Sequence, residues 1–411
     1  MLNRLWLSFF FITVICVAYQ SFILGDLDSS SRVVAAWFDA ARVSVDISIG
    51  LIGLMTLWLG LFKVAEHAGL ITVLGRGLAP LFARLMPEVP KGHPALGAMT
   101  MNLSANVLGL DNAATPLGLK AMHELQTLNP EPERATKAQA LFLVINASSV
   151  TLIPISVFLF RAQQGAADPA SVFLPILLAT SMSTLVGVSA YCLSQRIALF
   201  NRVVLAYAAG FACLLAGMIT WVSQWPATEM GRNSGALGNG LLITLIVLFL
   251  GCGFWRKQAV YDQFIEGAKE GFQTAIGLIP YLLAMLVAIA GLRVSGALEA
   301  ALSGFSWLAT QVGLATDFIP ALTTALIKPL SGSGARAMML ETMQTYGVDS
   351  FPALVAATVQ GSSETTLYVV AVYYGVVGIK RDRGALACGL LADLAGVITA
   401  IYACYLFFPP S

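Results

Sequence analysis

The chain contains, at residues 37–42, the stretch Trp37-Phe38-Asp39-Ala40-Ala41-Arg42, which returns at residues 264–269 as Phe264-Ile265-Glu266-Gly267-Ala268-Lys269. Residues 49–52 (Ile-Gly-Leu-Ile) return at 276–279 with the same separation of 227 positions, and Gly69 and Gly296 keep that separation. An apolar composition alone does not place an aromatic residue, an acid, a small residue and a base in the same order twice. The pattern predicts a duplicated structural unit, which in a membrane protein is typical of a transporter.

The composition indicates a protein that spans a membrane several times. Only 11% of the 411 residues are charged and 57% are hydrophobic, whereas soluble domains carry roughly 25% charged residues. The predicted fold class is an all-α polytopic membrane protein whose partner is the lipid bilayer. The formal net charge is +1, and no Lys/Arg-rich patch is present, so no nucleic-acid partner is expected. The six cysteines are isolated in apolar segments, so neither a disulfide framework nor a metal site is expected.

Apolar runs of spanning length occur throughout the chain. The first is expected to be a retained helix and not a signal peptide, because it is long and no Ala-x-Ala site follows it. In each copy of the repeat, a short amphipathic stretch (residues 32–43 in the first) either lies in the headgroup layer or extends the next helix. Two regions, 63–137 and 293–351, are mixed. Spanning helices are predicted at roughly 5–24, 44–62, 138–160, 171–193, 203–223, 237–255, 276–292, 352–376 and 384–408.

Basic clusters predict the orientation of these helices. Loops rich in Lys and Arg stay in the cytoplasm, and the chain alternates consistently when all four clusters are placed there. The N-terminus is then cytoplasmic, the membrane is the cytoplasmic (inner) one, and the second copy is inverted relative to the first. The predicted units are residues 1–195, a linking helix at 196–236, and residues 237–411. The clusters are Arg4, Arg196 with Arg202, Arg256 with Lys257, and Lys380-Arg381-Arg383.

Each half contains two polar interruptions of its apolar segments, at 102–116 and 146–151 in the first half and at 328–336 and 360–366 in the second. Non-helical backbone within a membrane is tolerated only where protein or water covers it, and paired interruptions indicate a transporter binding site. Ordinary loops are the alternative, but the flanking residues are strongly apolar. The predicted solute-binding residues are Asn106, Asp111, Asn112, Thr115, Asn146, Ser148, Ser149, Lys328, Ser331, Ser333, Arg336, Gln360, Ser362, Ser363 and Glu364. The predicted ligands of a coupling Na+ or H+ are Asp111, Thr151, Glu364 and Thr365; no other cofactor is expected.

The charged residues among these leave two interpretations open. A carboxylate inside a span, such as Glu364, is costly unless it is protonated, paired or facing water. Lys328 and Arg336 either form an internal salt-bridge network with Asp111 and Glu364, or meet an anionic group of the solute. Arginine suits the second role because its planar fork donates two parallel hydrogen bonds to a carboxylate or phosphate. The Ser, Thr, Asn and Gln side chains have their own alternative, which is hydrogen bonding between helices.

The same motifs carry a family resemblance. Residues 108–116 and 146–149 resemble the spore maturation protein A family, and residues 328–336 and 360–366 resemble the spore maturation protein B family, so nearly the whole chain looks like a fusion of the two. Both families carry a nucleoside-recognition or gate domain that is similar to parts of concentrative nucleoside transporters and of the ferrous-iron transporter. The resemblance implies two inverted repeats whose hairpins and unwound helices bind solute and sodium. Lys328 and Arg336 depart from what a neutral nucleoside needs, so the domain does not fix the substrate.

The leading hypothesis is therefore a secondary transporter for a small anionic or zwitterionic organic solute, driven by sodium or protons through alternating access. The rival is a membrane scaffold or assembly factor of the envelope or of spore maturation, in which the charges are structural. A channel is a third alternative. No catalytic constellation is present, so an enzyme is not expected. A homo-oligomer, in the simplest case a dimer, is the expected assembly.

Overall fold

A computed structural model describes residues 2–109, 111–148, 151–197 and 201–410. Throughout these ranges the chain is helical and contains no strand. This confirms the predicted fold class, and it follows from the composition, because a helix satisfies its own backbone groups in lipid. The α-helices are α1 Leu2–Phe22, α2 Ser29–His67, α3 Leu70–Leu85, α4 Pro94–Val107, α5 Asp111–Gln126, α6 Lys137–Ser148, α7 Ile155–Gln163, α8 Phe173–Ser194, α9 Arg202–Val222, α10 Met230–Trp255, α11 Val260–Gly277, α12 Ile279–Val294, α13 Ala297–Gln311, α14 Leu322–Ile327, α15 Gly332–Tyr346, α16 Phe351–Ser362, α17 Thr366–Gly375 and α18 Ala385–Phe407.

Within the described ranges, six helical segments are long and apolar enough to cross a membrane. They make this a multi-pass membrane protein, as the composition predicts. The segments are Ser29–His67, Pro169–Ser194, Arg202–Val222, Met230–Trp255, Val260–Val294 and Ala385–Phe407.

The helices follow the same order in the two halves of the chain. In the first half, a long helix (α2) is followed by α3, the pair α4 and α5, the pair α6 and α7, and α8; the second half has α11 with α12, then α13, α14 and α15, α16 and α17, and α18. Gly69 and Gly296, which match in sequence, both precede the next helix in the left-handed conformation, with φ of 69° and 75°. A side chain is strained at such a φ, which explains why glycine occupies both positions.

Corresponding helices of the two halves pack against each other in opposite directions. Along α2 and the α11–α12 segment, Gly60 lies against Phe264, and Trp37, nearer the start of α2, lies against Gly291 at the far end. Helices α8 and α18 do the same, because Gly187 lies against Ala392 while Ser183, earlier in α8, lies against Gly396, later in α18. An inverted repeat predicts this antiparallel arrangement of equivalent helices.

Two of the basic loops lie side by side. At the end of α8, the Gln195 amide donates to the Arg383 carbonyl at 3.4 Å, and the Arg383 side chain donates back to Gln195 Oε1 at 3.3 Å. The clusters at Arg196 and at Lys380-Arg381-Arg383 therefore share one end of the molecule. Their assignment to a common side of the membrane requires this placement.

Two predicted helices are wrong, and of the two alternatives for the amphipathic stretches the structure shows the extension of the next helix. The amphipathic stretches do not form separate elements: α2 is continuous from Ser29 to His67, and only Leu278 separates α11 from α12. Pro280 does not interrupt α12, because it falls in the first turn, where a missing N–H costs nothing. The predicted helices at 138–160 and 352–376 are each split instead, with α6 ending at Ser148 and α16 at Ser362.

The two splits share a physical cause. Short polar side chains hydrogen-bond to nearby backbone and so compete with the helix ladder, and proline removes a donor. Pro154 precedes α7, and Ser363-Glu364-Thr365 separates α16 from α17. The polar residues that the sequence placed inside apolar helices therefore lie at helix ends.

Candidate functional site

In each half, the backbone after a split helix bonds to the backbone of a neighbouring helix end. The Leu152 N–H, before α7, donates to the Val107 carbonyl at the end of α4, at 3.2 Å. The Leu367 N–H, in the first turn of α17, donates to the Pro329 carbonyl after α14, at 3.0 Å. These bonds satisfy peptide groups that a continuous helix would satisfy itself, which a lipid-covered segment requires.

Two glycines allow this close approach. Gly109 has a φ of 71°, and a Cβ there would lie 2.6 Å from the Ile153 carbonyl oxygen. A Cβ on Gly332 would lie 2.9 Å from Thr365 Oγ1. The Glu364 N–H then donates to the Ala147 carbonyl at 2.9 Å and joins the two split regions across the halves.

A small polar cavity of about 40 Å³ lies where these segments meet. Its volume is close to that of one water molecule, about 30 Å³ in the liquid. In this conformation it accommodates water or an ion but no organic solute. The predicted site residues that line it are Thr151, Lys328, Arg336, Gln360, Ser363, Glu364 and Thr365.

Two charged groups of the cavity, Arg336 and Glu364, form no ion pair within the described part of the chain. The Lys328 ammonium donates to the Gln360 carbonyl at 2.7 Å. The half-buried side chains of Arg336 and Glu364 have neither an ion pair nor a hydrogen bond within the described ranges. The predicted internal salt bridge to Asp111 falls on a side chain outside the described residues.

A larger cavity of about 500 Å³ adjoins the small one. The two share Gly109, Ile155, Ser156 and Arg336, so the guanidinium stands at their common boundary. Pockets for small molecules measure about 300–1,000 Å³ and are mostly apolar with a few placed polar groups. The large cavity fits this description, with apolar residues such as Trp58 and Leu159 in its wall.

Carboxylates surround the single lysine of the large cavity. Lys63 on α2 lies 3.0 Å from Glu270 and 3.3 Å from Glu266 on α11, and 3.8 Å from Glu66. Lys63, Glu66 and Glu270 line the cavity. One cation faces three carboxylates here, so this part of the wall carries an excess of negative charge, whereas Arg336 supplies positive charge at the inner boundary.

Two of the predicted solute ligands belong to a separate buried network. The Asn106 amide donates to Asn146 Oδ1 at 2.9 Å, and the Tyr373 hydroxyl lies 3.3 Å from the same oxygen. Asn102 donates to the Ala114 carbonyl at 2.8 Å and lies 3.3 Å from the Tyr373 hydroxyl. Asn106 and Asn146 therefore bond to protein groups, as side chains that join helices do.

The other predicted residues that the structure describes lie outside the wall of the small cavity. The hydroxyls of Ser148 and Ser362 donate to carbonyls of their own helices at 2.9 and 2.8 Å. Ser331 caps α15, with its hydroxyl accepting from the Gly334 N–H at 3.0 Å and lying 3.3 Å from that of Ser333. Thr115 is half-buried on α5. Ser149 and the side chains of Asp111 and Asn112 lie outside the described residues.

A further buried carboxylate, Asp393 on α18, stands beside the cavity residues. It is only 2% exposed, and neither of its carboxylate oxygens has a hydrogen-bond partner among the described residues. The hydroxyls of Ser363 and Thr366 lie beside it. The sequence prediction did not include Asp393, because residues 384–408 form a clean apolar span. The sequence nonetheless contains a signal that could have identified it. An ionisable residue inside a spanning helix is a candidate functional residue, and Asp393 meets this criterion as Glu364 does.

Comparison with known proteins agrees with this architecture. The Gate family model, described as nucleoside recognition, matches residues 48–164 and 275–380. The two ranges cover more than half of the chain, and they begin 227 positions apart, the separation of the repeated stretch.

Two curated relatives match, both from Bacillus subtilis (strain 168). Spore maturation protein A is 38% identical over 183 residues, which are 44% of this chain and 90% of that protein. Spore maturation protein B is 42% identical over 168 residues, 41% of this chain and 91% of that protein. No solved structure matches. Two relatives that are each matched almost completely by part of this chain are consistent with a fusion, and the chain belongs to the Gate family of nucleoside-recognition membrane proteins.

Proposed function

We propose that this protein is a secondary transporter that binds a small anionic or zwitterionic organic solute in the large cavity, against Arg336. The observation that carries the proposal is the state of that guanidinium. It is half-buried at the boundary of both cavities and has no ion pair or hydrogen bond among the described residues. A partly buried cation without an internal partner is costly, and an anionic ligand group offsets that cost.

The size of the large cavity and the family match support a solute with a nucleoside-sized body. Its volume of about 500 Å³ suits a nucleoside-sized molecule, and the family model is described as nucleoside recognition. A neutral nucleoside has no group for a guanidinium to neutralise, whereas a phosphate or carboxylate accepts two parallel hydrogen bonds from it. The proposed solute therefore combines an apolar or aromatic body with one anionic group.

Alternating access in this proposal follows from an inverted repeat. Antiparallel packing of α2 with α11–α12 and of α8 with α18 supports such a repeat. Rocking of two inverted halves about a central site is a common transporter mechanism. The basic clusters support placement in the cytoplasmic membrane with a cytoplasmic N-terminus.

The test is a thermal-stability screen of the purified full-length protein with a nucleoside, its 5′-monophosphate, an amino acid and a dicarboxylate. At least one member with an anionic group is expected to stabilise the wild type. Arg336→Gln loses a charge-assisted bidentate contact of about 1.5–3 kcal/mol, so the affinity falls roughly ten- to hundred-fold. Exposed Arg76 on α3 provides the matched control, and Arg76→Gln should bind like the wild type. Stabilisation by the neutral nucleoside alone, unchanged in Arg336→Gln, would remove the basis of the proposal.

A non-transporting assembly factor is the second candidate. It is favoured by the names of the two relatives, which describe spore maturation. In that case Lys328→Ala and Asp111→Ala lower the folded yield together, whereas a solute site gives folded variants that no longer bind. Measuring folded yield and ligand binding on the same preparations separates the two candidates.

A further inference from the structure

A large apolar groove of about 1,050 Å³ lies between α9 and the helices α3, α4 and α8. Its wall consists mostly of aliphatic and aromatic side chains such as Leu78, Leu185 and Leu214, and no charged side chain of the described chain lines it. Two of its few hydroxyls, those of Ser104 and Thr184, donate to helix carbonyls at 2.7 and 3.2 Å. The groove therefore differs from both cavities of the candidate site, whose walls carry charged groups.

Helix α9, which forms one side of the groove, has little contact with the rest of the protein. Only 6% of its apolar stretch is buried. Near its start, Val204 belongs to the same buried cluster as Phe82 and Leu85 of α3, and the Tyr207 hydroxyl donates to the Gly77 carbonyl. Beyond this end the groove separates α9 from α8.

Lipid acyl chains are the material that fills such a space in a membrane. An apolar cavity stays dry, and an unfilled one loses the dispersion contacts of its lining. The bilayer supplies acyl chains throughout its hydrocarbon core. The deep end of the groove tolerates them, because the N–H of Leu152 in its wall is already bonded to the Val107 carbonyl.

Two arginines stand at one end of the groove, where α3 ends and α9 begins. Leu85 and Val204 line this end, and Arg84 and Arg202 are their close neighbours in the chain. Both arginines are exposed, and neither forms an ion pair with another described residue. Positive charge without an internal partner therefore lies beside the apolar groove.

Few carboxylates compete for these arginines. Residues 169–228, which include all of α8 and α9, contain no Asp or Glu. Glu88, shortly after Arg84, lines a separate pocket together with Arg134 and Arg383. This end of the groove therefore complements an anionic lipid headgroup, as basic residues at the edge of a membrane commonly do.

We propose that the groove binds an anionic phospholipid, with its acyl chains between α8 and α9 and its phosphate at Arg84 and Arg202. A guanidinium donates parallel hydrogen bonds to a phosphate. A zwitterionic lipid has the same phosphate but adds a cation, which two arginines disfavour. Within the described ranges, the groove shares no lining residue with the two cavities of the candidate site. Lipid binding therefore does not depend on the proposed transport function.

The test measures lipid binding to the purified full-length protein after its lipids have been removed by detergent exchange. Phosphatidylglycerol and phosphatidylcholine with the same acyl chains are compared by native mass spectrometry and by thermal unfolding. The wild type should retain phosphatidylglycerol and be stabilised by it, at concentrations at which phosphatidylcholine has little effect. Glycerol phosphate, which has the anionic group but no acyl chain, should not stabilise it.

Variants separate the contributions of charge and groove. Arg84→Gln and Arg202→Gln should each weaken phosphatidylglycerol binding about five-fold, and Lys257→Gln, at an exposed cation of another basic loop, should not. Ala208→Phe places a ring in the groove and should weaken binding of both lipids. Ala212→Phe is its matched control, because Ala212 is exposed on the same helix but does not line the groove.

Three results would overturn the assignment: no lipid retained by the wild type, equal stabilisation by the two lipids, or unchanged binding by Ala208→Phe. A lipid-free dimer that Ala208→Phe dissociates assigns the groove to a second copy of the chain and equally overturns it. Stabilisation by glycerol phosphate as strong as that by phosphatidylglycerol assigns the arginines to a free anion, with the same consequence. None of these measurements involves uptake, so the lipid site and the transporter stand or fall separately.

Discussion

Replacing Asn146 by alanine should destabilise the protein without removing a solute contact. The substitution deletes the Oδ1 atom that accepts from Asn106 at 2.9 Å and lies 3.3 Å from the Tyr373 hydroxyl. It leaves two buried donors without an acceptor. At about 1–3 kcal/mol for each unsatisfied buried group, the expected loss is about 2–6 kcal/mol.

A second variant distinguishes this cost from that of a lost hydrogen bond. Tyr373→Phe removes two long contacts, to Asn146 and to Asn102, each at 3.3 Å, and leaves Asn102 bonded to the Ala114 carbonyl at 2.8 Å. Its cost should be near twice the average for an interhelical hydrogen bond in a membrane protein, about 1.2 kcal/mol. The measurement is a denaturant titration of both variants in the same detergent, followed by solute binding per folded molecule. If the Asn146→Ala variant is as stable as the wild type but does not bind solute, the structural interpretation is refuted and Asn146 is a solute-binding residue.

Other substitutions test the packing that positions the site. Arg161 is fully buried and donates to the carbonyls of Pro169 and Val348, at 3.2 and 3.1 Å, as well as to Asp349 of the other half. The Asp349 carboxylate is 44% exposed and stays hydrated without the arginine, so Arg161→Met should cost about 1–3 kcal/mol in a denaturant titration, for the carbonyls left without a donor. A loss below about 0.5 kcal/mol would contradict its role in joining the two halves. Gly109→Ala should lower the melting temperature, because a side chain at this left-handed position adds about 1–2 kcal/mol of backbone strain and clashes with the Ile153 carbonyl. Gly97→Ala is the control and should not lower it, because a Cβ there meets no atom within 4 Å. Equal effects of the two substitutions would contradict this geometry. Gly271→Leu places a large side chain 2.6 Å from a backbone oxygen of α2 and should abolish folded expression, and normal expression would show that the α2–α11 contact is dispensable.

Sequence reasoning predicts the all-helical membrane fold because composition and apolar run length are local properties of the chain. It also locates the polar interruptions, since the residues around Ser148 and Ser362 are unfavourable inside a helix. It does not predict where α6 and α16 end, because proline and short polar residues are also tolerated in continuous membrane helices when neighbouring helices satisfy the freed backbone.

The content of the site depends on tertiary contacts that the sequence does not specify. Asn146 and Ser363 lie in similar polar motifs of the two halves. The Asn146 side chain nevertheless bonds to Asn106, whereas Ser363 lines the small cavity. Asp393 is 29 residues beyond Glu364 in the chain, and only the packing of α18 against α17 brings it to the same place. Lys63, which faces three carboxylates, belongs to the cavity wall only because α2 packs against α11.

The central claim is that an anionic solute crosses the membrane after binding at Arg336. The direct measurement is uptake of the stabilising solute into proteoliposomes, with an inward sodium gradient and without it, by the wild type, Arg336→Gln and Arg76→Gln. We expect the wild type and Arg76→Gln to take up the solute saturably and only with the gradient. At solute concentrations below saturation, uptake by Arg336→Gln should be reduced at least roughly ten-fold. Absence of uptake by a wild-type preparation that binds the solute, or equal uptake by Arg336→Gln, would contradict it.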